Sequence, residues 1–348
     1  MPDVREAQTT ITPEPTVPSE RRSRRLAAVA FVRGAALLPV LGVLLIIGSA
    51  VSPDFFTTSN LAGVGQQISA LGAVVVGESL IIMVGGMDLS LESTFGLAPM
   101  VAAWLMVPVA AYGSGALWSP VLGIVVLLAV GAVIGLINGV MIVKTRLNGF
   151  IFTLAMTIIL AGIQDGMVNG QSLFNLPSAF TYIGAAYIGK IPVSLLVTAA
   201  IFVAVGLFLR YHRVGRDIYA VGGNREAARA AGVRVDRIRI GVYVAGSVLA
   251  AIGGLMEAGR VSSVASTQGY QEGIIFNVFA AAVIGGVSLR GGRGGMLGAA
   301  CGVVLLGLVQ NILDLGNVSN YWIEAIDGGV ILLALMMARV VGGEVTAE

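Results

Sequence analysis

SPVLGIVVLLAVGAVIGLINGVMIV occupies residues 119–143 and carries no charged side chain in 25 positions. At about 1.5 Å per residue, a helix of that length exceeds the roughly 30 Å of hydrocarbon in a bilayer. Ser119 followed by Pro120 suits a helix start. The hydroxyl can accept from an early backbone N–H, and proline in the first turn lacks an N–H that would have no partner there anyway. Gly131, Gly135 and Gly139 recur every four residues along one face. Such a ridge lets a second backbone come close in lipid, where apolar contact alone does not favour helix over tail. The stretch reads as a packed membrane span, and the rest of the chain repeats the pattern.

The 348 residues are 56% hydrophobic and 11% charged, with 48 glycines and a net charge of +2. Soluble chains of this length carry far more charge. Ten apolar runs have spanning lengths, near 34–52, 61–85, 90–112, 119–143, 149–168, 192–210, 239–258, 274–289, 295–314 and 321–340. The eighth is short, which suits a tilted or broken helix. Cap chemistry stands at several starts: Asn60, Asp88 or Ser90, Ser119, Asn148, Pro192 and Asn320. The expected fold is all-α, a polytopic membrane protein of about ten transmembrane helices. Residues 1–33 read as a disordered tail rich in Thr, Pro, Ser and Arg, 34–340 as the membrane domain, and 341–348 as a C-terminal tail. The basic "RRSRR" before the first apolar run resembles a secretory leader, but the long polar prefix favours an uncleaved span.

Charge placement sets the orientation. With the N-terminus in the cytoplasm, that side collects 19 of 21 basic residues, and only Lys190 and Arg260 fall outside. The bias of Lys and Arg toward cytoplasmic loops then puts both termini in the cytoplasm. The densest charge lies between Arg210 and Arg239, where eleven of thirty residues are charged. Within the segment 211–238, Asn224 can cap a short helix, "REAARAA", that Gly232 can end. Seven residues fall short of the about 12–15 that a helix needs alone in water, so contact must order it. Alanines 227, 228, 230 and 231 leave a slim rod able to enter a groove, with Arg225, Glu226 and Arg229 at its rim. A merely solvated basic loop is the plainer alternative.

Several chemistries are excluded. Lys144 and Lys190 are the only lysines, and neither completes a phosphate-binding G-x-x-x-x-G-K-[ST] loop. "GGRGG" at 291–295 lacks the lysine and hydroxyl such a loop needs, and no HExxH, CxxC or G-x-S-x-G is present. The single Cys301 permits no internal disulfide, and the single His212 sits among arginines, where it reads as a surface residue rather than a metal ligand. No metal site is expected, and energy from nucleotide hydrolysis must come from another chain.

Polar residues inside the spans are the candidates for a solute path: Gln66, Gln67, Glu78 and Asn277. A charge in mid-span costs roughly 2.5–3.5 kcal/mol, so Glu78 should face the bundle interior or water. Helix-to-helix hydrogen bonding is the competing role for each, and Asp88 reads best as a helix cap. Gly294, Gly298 and Gly302 form a second ridge, and GG-x-x-L occurs both at 85 and at 285.

Five stretches resemble one family in order. "SPDFFTTSNL" at 52–61, "VGGMDLSLEST" at 84–94, "RVGRDIYAVGGNREAARAAGVRVDRIRIGVY" at 213–243, "GRVSSVASTQGY" at 259–270 and "AAVIGGVSLRGGRGG" at 281–295 are similar to the ribose-type permeases. These are membrane subunits of bacterial ABC sugar importers, in a superfamily shared with branched-chain amino acid permeases. The resemblance covers about 34–340. It implies a multi-pass subunit of the bacterial inner membrane, paired with a second permease chain as a homodimer. It also implies a cytoplasmic ATPase that holds ATP and Mg, a periplasmic sugar-binding protein, no cofactor on this chain and no nucleic-acid partner. Gly222, Gly223, Asn224, Arg225, Glu226, Arg229, Gly232 and Arg237 would form the segment that docks on the ATPase. The family commonly has acidic residues after the glycine–tyrosine step, whereas in "GYQEGIIFNVF" at 269–279 Glu272 stands alone and Asn277 lies inside the next span; this leaves the cargo open between a monosaccharide and another small polar solute, such as a branched-chain amino acid or nucleoside. An ion-coupled transporter using Glu78 as a proton site, or a non-transporting scaffold, are the readings from other classes.

Overall fold

The computed structural model describes residues 37–271, 273–319, 321–323, 325, 326, 328–330, 332 and 336. Both expected tails, half of the tenth apolar run, Asn320, Glu272, Glu324 and Asp327 lie outside the described residues.

Helices α1 (Leu37–Val51), α2 (Thr58–Met83), α3 (Leu91–Met106), α4 (Pro120–Lys144) and α5 (Gly149–Val168) come first. Then follow α6 (Ser178–Ala185), a hairpin of β1 (Tyr187–Ile188) and β2 (Ile191–Pro192), and α7 (Val193–Tyr211). The charged segment forms α8 (Arg213–Gly223) and α9 (Arg225–Ala230), before α10 (Val235–Val261), α11 (Ile274–Ile284) and α12 (Met296–Leu315). Six of these, α2, α4, α5, α7, α10 and α12, are long and apolar enough to cross a membrane, while α1, α3 and α11 are apolar but shorter.

Starts follow the cap chemistry. Ser119 Oγ accepts from Leu122 N at 3.4 Å, and Asn148 Oδ1 accepts from Ile151 N at 3.2 Å. The second span begins earlier than Asn60, because Thr57 Oγ1 is the cap and Asn60 N donates to it at 3.3 Å. The third span ends at Met106 rather than near 112: Pro108 favours extended backbone before it, and a single 3₁₀ turn over Val109–Ala111 follows. The run expected at 274–289 stops at Ile284, where Gly285 and then Gly286 (φ +84°) turn the chain. That leaves α11 about 16 Å long, half a bilayer core. The stretch 169–191, which the apolar pattern left blank, holds α6 and the hairpin, whose Gly189 turns at φ +64°. The short hairpin is the departure from an all-α chain.

At the centre stands α10, packed on α4, α2, α3 and α6. Its contacts are made by glycine. A Cβ built on Gly131 would lie 2.9 Å from Ser247 O, on Gly135 2.5 Å from Tyr243 O, and on Gly139 3.0 Å from Ile240 Cα, so all three rungs of the α4 ridge rest on the α10 backbone. Gly77 of α2 meets Gly246 O at 2.8 Å by the same measure, and Gly253 meets Ala70 O at 2.7 Å. The second ridge is similar: Gly298 faces the Gly285 carbonyl, Gly302 the Ala281 carbonyl, and Gly294 (φ +141°) lies against Val287.

Replacing Gly135 with valine should therefore overpack the α4–α10 contact by roughly 1–3 kcal/mol and lower the thermal midpoint of the purified protein. Gly162→Ala, with nothing within 4 Å of its Cβ and alanine the better helix former, should not lower the midpoint.

Candidate functional site

Two regions of chemistry lie at opposite ends of the bundle. One is built around α8 and α9. His212 caps α8, with Nδ1 accepting from Val214 N at 3.2 Å, and its exposed ring stacks on Phe208 at 5.0 Å. Helix α8 buries Gly215, Ile218 and Val221 and exposes its arginines, an amphipathic pattern that the charge density of the segment conceals. Asn224 (φ −159°, ψ 111°) breaks the chain out of α8 and caps α9, its Oδ1 accepting from Glu226 N at 3.0 Å and Ala227 N at 2.9 Å. Gly232 (φ +82°) ends the short helix. Only Ala228 of α9 is buried, and Glu226, Ala227, Ala230 and Ala231 face outward.

Three glycine pairs meet behind this helix. Gly85–Gly86 follow α2, Gly222–Gly223 end α8, and Gly291–Gly292 precede α12. Gly292 N donates to Met83 O at 2.9 Å. A Cβ on Gly292 would stand 2.7 Å from Gly223 N, one on Gly291 2.9 Å from Gly222 O, and one on Gly222 would strike the Met83 carbonyl. Arg225 turns inward, its Nη2 donating to Gly85 O at 2.7 Å and Val84 O at 3.4 Å, where a cation suits the unpaired carbonyls of a helix end. Tyr219 Oη donates to Gly294 O at 3.0 Å, and burial raises its hydroxyl above the ordinary tyrosine pKa. Asp236 receives both Arg229 (3.0 Å) and Lys144 (3.3 Å). Arg237 is exposed. Of the charged groups expected at the rim of α9, Arg225 and Arg229 thus bind their own chain, and Glu226 faces outward.

From this junction the loop 84–90 runs into a buried polar cluster. Glu78, Asp88, Ser90 and Asn138 are all fully buried. Asp88 N donates to Glu78 Oε1 at 3.3 Å. Asp88 Oδ1 accepts from Ser90 N (2.9 Å) and Ser90 Oγ (2.6 Å), and its Oδ2 accepts from Asn138 Nδ2 at 3.1 Å. Thr153 Oγ1 of α5 accepts from Leu89 N at 3.1 Å. Asp88 does tie the start of α3, as an anchor two residues ahead of the Ser90 cap. Asn138, Thr153 and the fully buried Gln164 did not stand out in the sequence. Each is one amide or hydroxyl in an apolar run, and no spacing marks it. Gln164 Nε2 bonds the carbonyls of Ala265, Ser266 and Gln268 at 3.3, 2.7 and 3.2 Å and holds the loop after α10 inside the bundle.

At the other end lies a cavity of about 350 Å³. Gln67 of α2, Glu257 and Arg260 of α10, Asn277 of α11 and Gln310 of α12 supply its polar lining. Gln67 and Asn277 therefore come together, 210 positions apart in sequence. Gln66 and Glu78 do not join them. Gln66 donates to Gly184 O at 2.8 Å and accepts from Tyr187 Oη at 2.9 Å, a packing role, and Glu78 is within the polar cluster.

Apolar helices of spanning length around a glycine-packed core define a multi-pass membrane protein. The chain belongs to the family described as branched-chain amino acid transport system / permease component, whose profile matches residues 60–335. It is 35% identical over 318 residues to the ribose import permease protein RbsC of Escherichia coli, covering 90% of this chain and 96% of that one. It is 33% identical to the RbsC of Bacillus subtilis (86% and 92% covered) and 34% identical to the L-arabinose ABC transporter permease protein AraH of Azospirillum brasilense (82% and 81%).

Alanine at Gly292 (φ +68°) adds a clash to left-handed strain of roughly 1–2 kcal/mol. Amide hydrogen exchange across residues 222–232 should quicken about tenfold in Gly292→Ala, while α4 and α10 keep the wild-type rate.

Proposed function

We propose that this chain is the membrane-spanning permease subunit of an ATP-binding cassette importer of the bacterial inner membrane, and that it carries a monosaccharide. Relatives named for ribose and L-arabinose, each aligned over most of both chains, support the cargo class. In this reading about ten spans cross the membrane with both termini cytoplasmic, in keeping with the one-sided distribution of arginine. Two copies pair as a homodimer around a shared path. A periplasmic binding protein delivers the sugar, and a separate cytoplasmic ATPase holds ATP and Mg; this chain has no hydrolytic role and binds no cofactor. The membrane domain is 34–340, flanked by tails at 1–33 and 341–348.

The observation that carries the reading is the way α9 is mounted. A solvated basic loop would hang free. Here an outward-facing helix, with small alanines and Glu226 on its surface, is clamped from behind to the ends of α2, α8 and α12. That geometry suits a lever. ATP binding closes the ATPase pair, the two α9 helices move together, and the attached helix ends follow as rigid bodies, switching the path between outward and inward access. Gln67 and Asn277 line that path. An ion-coupled transporter has no use for such a mount.

Reconstituted with its ATPase and binding protein, the chain should take up radiolabelled sugar only with ATP. Ala228→Pro removes an N–H that bonds Asn224 O at 3.0 Å, and Arg225→Glu sets a carboxylate against the Gly85 carbonyl. Both variants should insert normally yet retain under about a tenth of uptake, given roughly 3 kcal/mol for proline inside a helix. Uptake driven by a pH gradient alone would overturn the reading.

A further inference from the structure

The cavity opposite the junction has an internal ion pair at its wall. Arg260 Nε donates to Glu257 Oε2 at 2.9 Å and its Nη2 to Glu257 Oε1 at 2.6 Å, a two-pronged contact one turn apart near the end of α10. Glu257 is the more enclosed, with 15% of its side chain exposed against 36% for Arg260. Both sit over 20 residues from Asp236, about 30 Å along the helix from the glycine junction. Among the described residues these two are the charged groups of the lining. Around the pair stand three carboxamides, Gln67, Asn277 and Gln310, from three different helices, each with donors and an acceptor. Ile68, Leu71 and Phe95 make the apolar floor.

Mixed donors and acceptors beside an apolar floor match a solute with many hydroxyls on one edge and C–H groups on its faces, and about 350 Å³ is near the lower bound for a small-molecule site. A carboxylate whose oxygens are each already bonded to a guanidinium can still accept from a hydroxyl through a second lone pair. It binds less tightly than an unengaged charge, as a solute that must leave requires.

We propose that this cavity is a transit site for a polyhydroxylated solute of monosaccharide size, with the Glu257–Arg260 pair and Gln310 supplying its directional contacts beside Gln67 and Asn277. The proposal rests on the sugar-importer reading and adds the residues that meet the cargo. A zwitterionic amino acid would instead have to part the pair, its carboxylate taking Arg260 and its ammonium Glu257.

The test uses the complete importer in proteoliposomes, with D-ribose, L-arabinose, D-galactose and L-leucine as radiolabelled probes. Glu257→Gln and Arg260→Gln should each cut sugar moved per ATP split about tenfold, while ATP hydrolysis stimulated by loaded binding protein stays within about twofold of wild type. In a Cys301→Ala background, Gln310→Cys should react with an impermeant maleimide from the binding-protein side, and loaded binding protein should slow that reaction where the empty form does not. Unchanged sugar per ATP in both variants overturns the proposal and leaves the importer reading standing. Parallel loss of uptake, hydrolysis and membrane-inserted protein assigns the pair to holding the end of α10, and also overturns it. Uptake of leucine but of no sugar by the wild type defeats the sugar reading itself.

Discussion

Close approach of one backbone to another, at positions where a side chain would not fit, is the constraint on which this architecture depends. In hydrocarbon the solvent is as apolar as leucine, so burying leucine does not drive helices together. What remains is van der Waals contact and polar bonding, and both reward short distances. The α4 ridge, the Gly77–Gly246 crossing and the Gly302–Ala281 contact bring α10 and α12 against neighbours at backbone range. Exposed leucine, isoleucine and valine cover the outer faces of α4, α5 and α7, where lipid is the solvent. The usual picture of a soluble domain is inverted: the smallest residues make the core contacts and many of the largest face outward.

The same constraint explains the glycine junction. Two loops that need left-handed turns, at Gly85 and at Gly291–Gly292, and the Gly222–Gly223 end of α8 would be ordinary helix boundaries if they were apart. Together they are packed so that Met83 O is shared by one neighbour's N–H and another neighbour's bare Cα. Arg225 then joins the helix end electrostatically, and the loop beyond is held by Glu78, Asn138 and Thr153 on three helices. Polar side chains inside a membrane are costly unless bonded. Here their bonding fixes the loop whose Gly85 carbonyl accepts from Arg225.

Much of this was legible in the sequence, and the reasons are specific. The 25-residue uncharged run at 119–143 became α4 to within a residue, because length and a Ser–Pro start leave a helix little freedom. Asn224 and Gly232 bounded α9 as their chemistry requires. Less visible were features in which sequence-distant groups cooperate. That Arg225 would turn inward depended on the position of Gly85, about 140 residues away. The amphipathic α8 was hidden by its own arginines, since periodicity is hard to see where charge dominates. Gln67 and Asn277 were recognisable as polar groups in apolar runs, and so were Gln66 and Glu78, but only three-dimensional placement separates the first two from the others.

Placement also shows how the two ends are joined. Helix α2 takes part in the cavity through Gln67 and Leu71 and in the junction through Met83; α10 does so through Glu257 and Arg260 at one end and the Asp236 clamp at the other. Neither helix has a proline within its span. In the proposed lever, movement of α9 reaches the end of α2 through Arg225 and the glycine contacts, and a helix about 40 Å long that tilts about its middle moves both its ends. No chain of side-chain rearrangements is needed between the ends. On the importer reading, a bound solute shifts the balance between two states only by its differential affinity for them. A weakly held cargo would supply little of that difference, so the proposed reading puts the work of transport at α9, where a partner that prefers one state would dock.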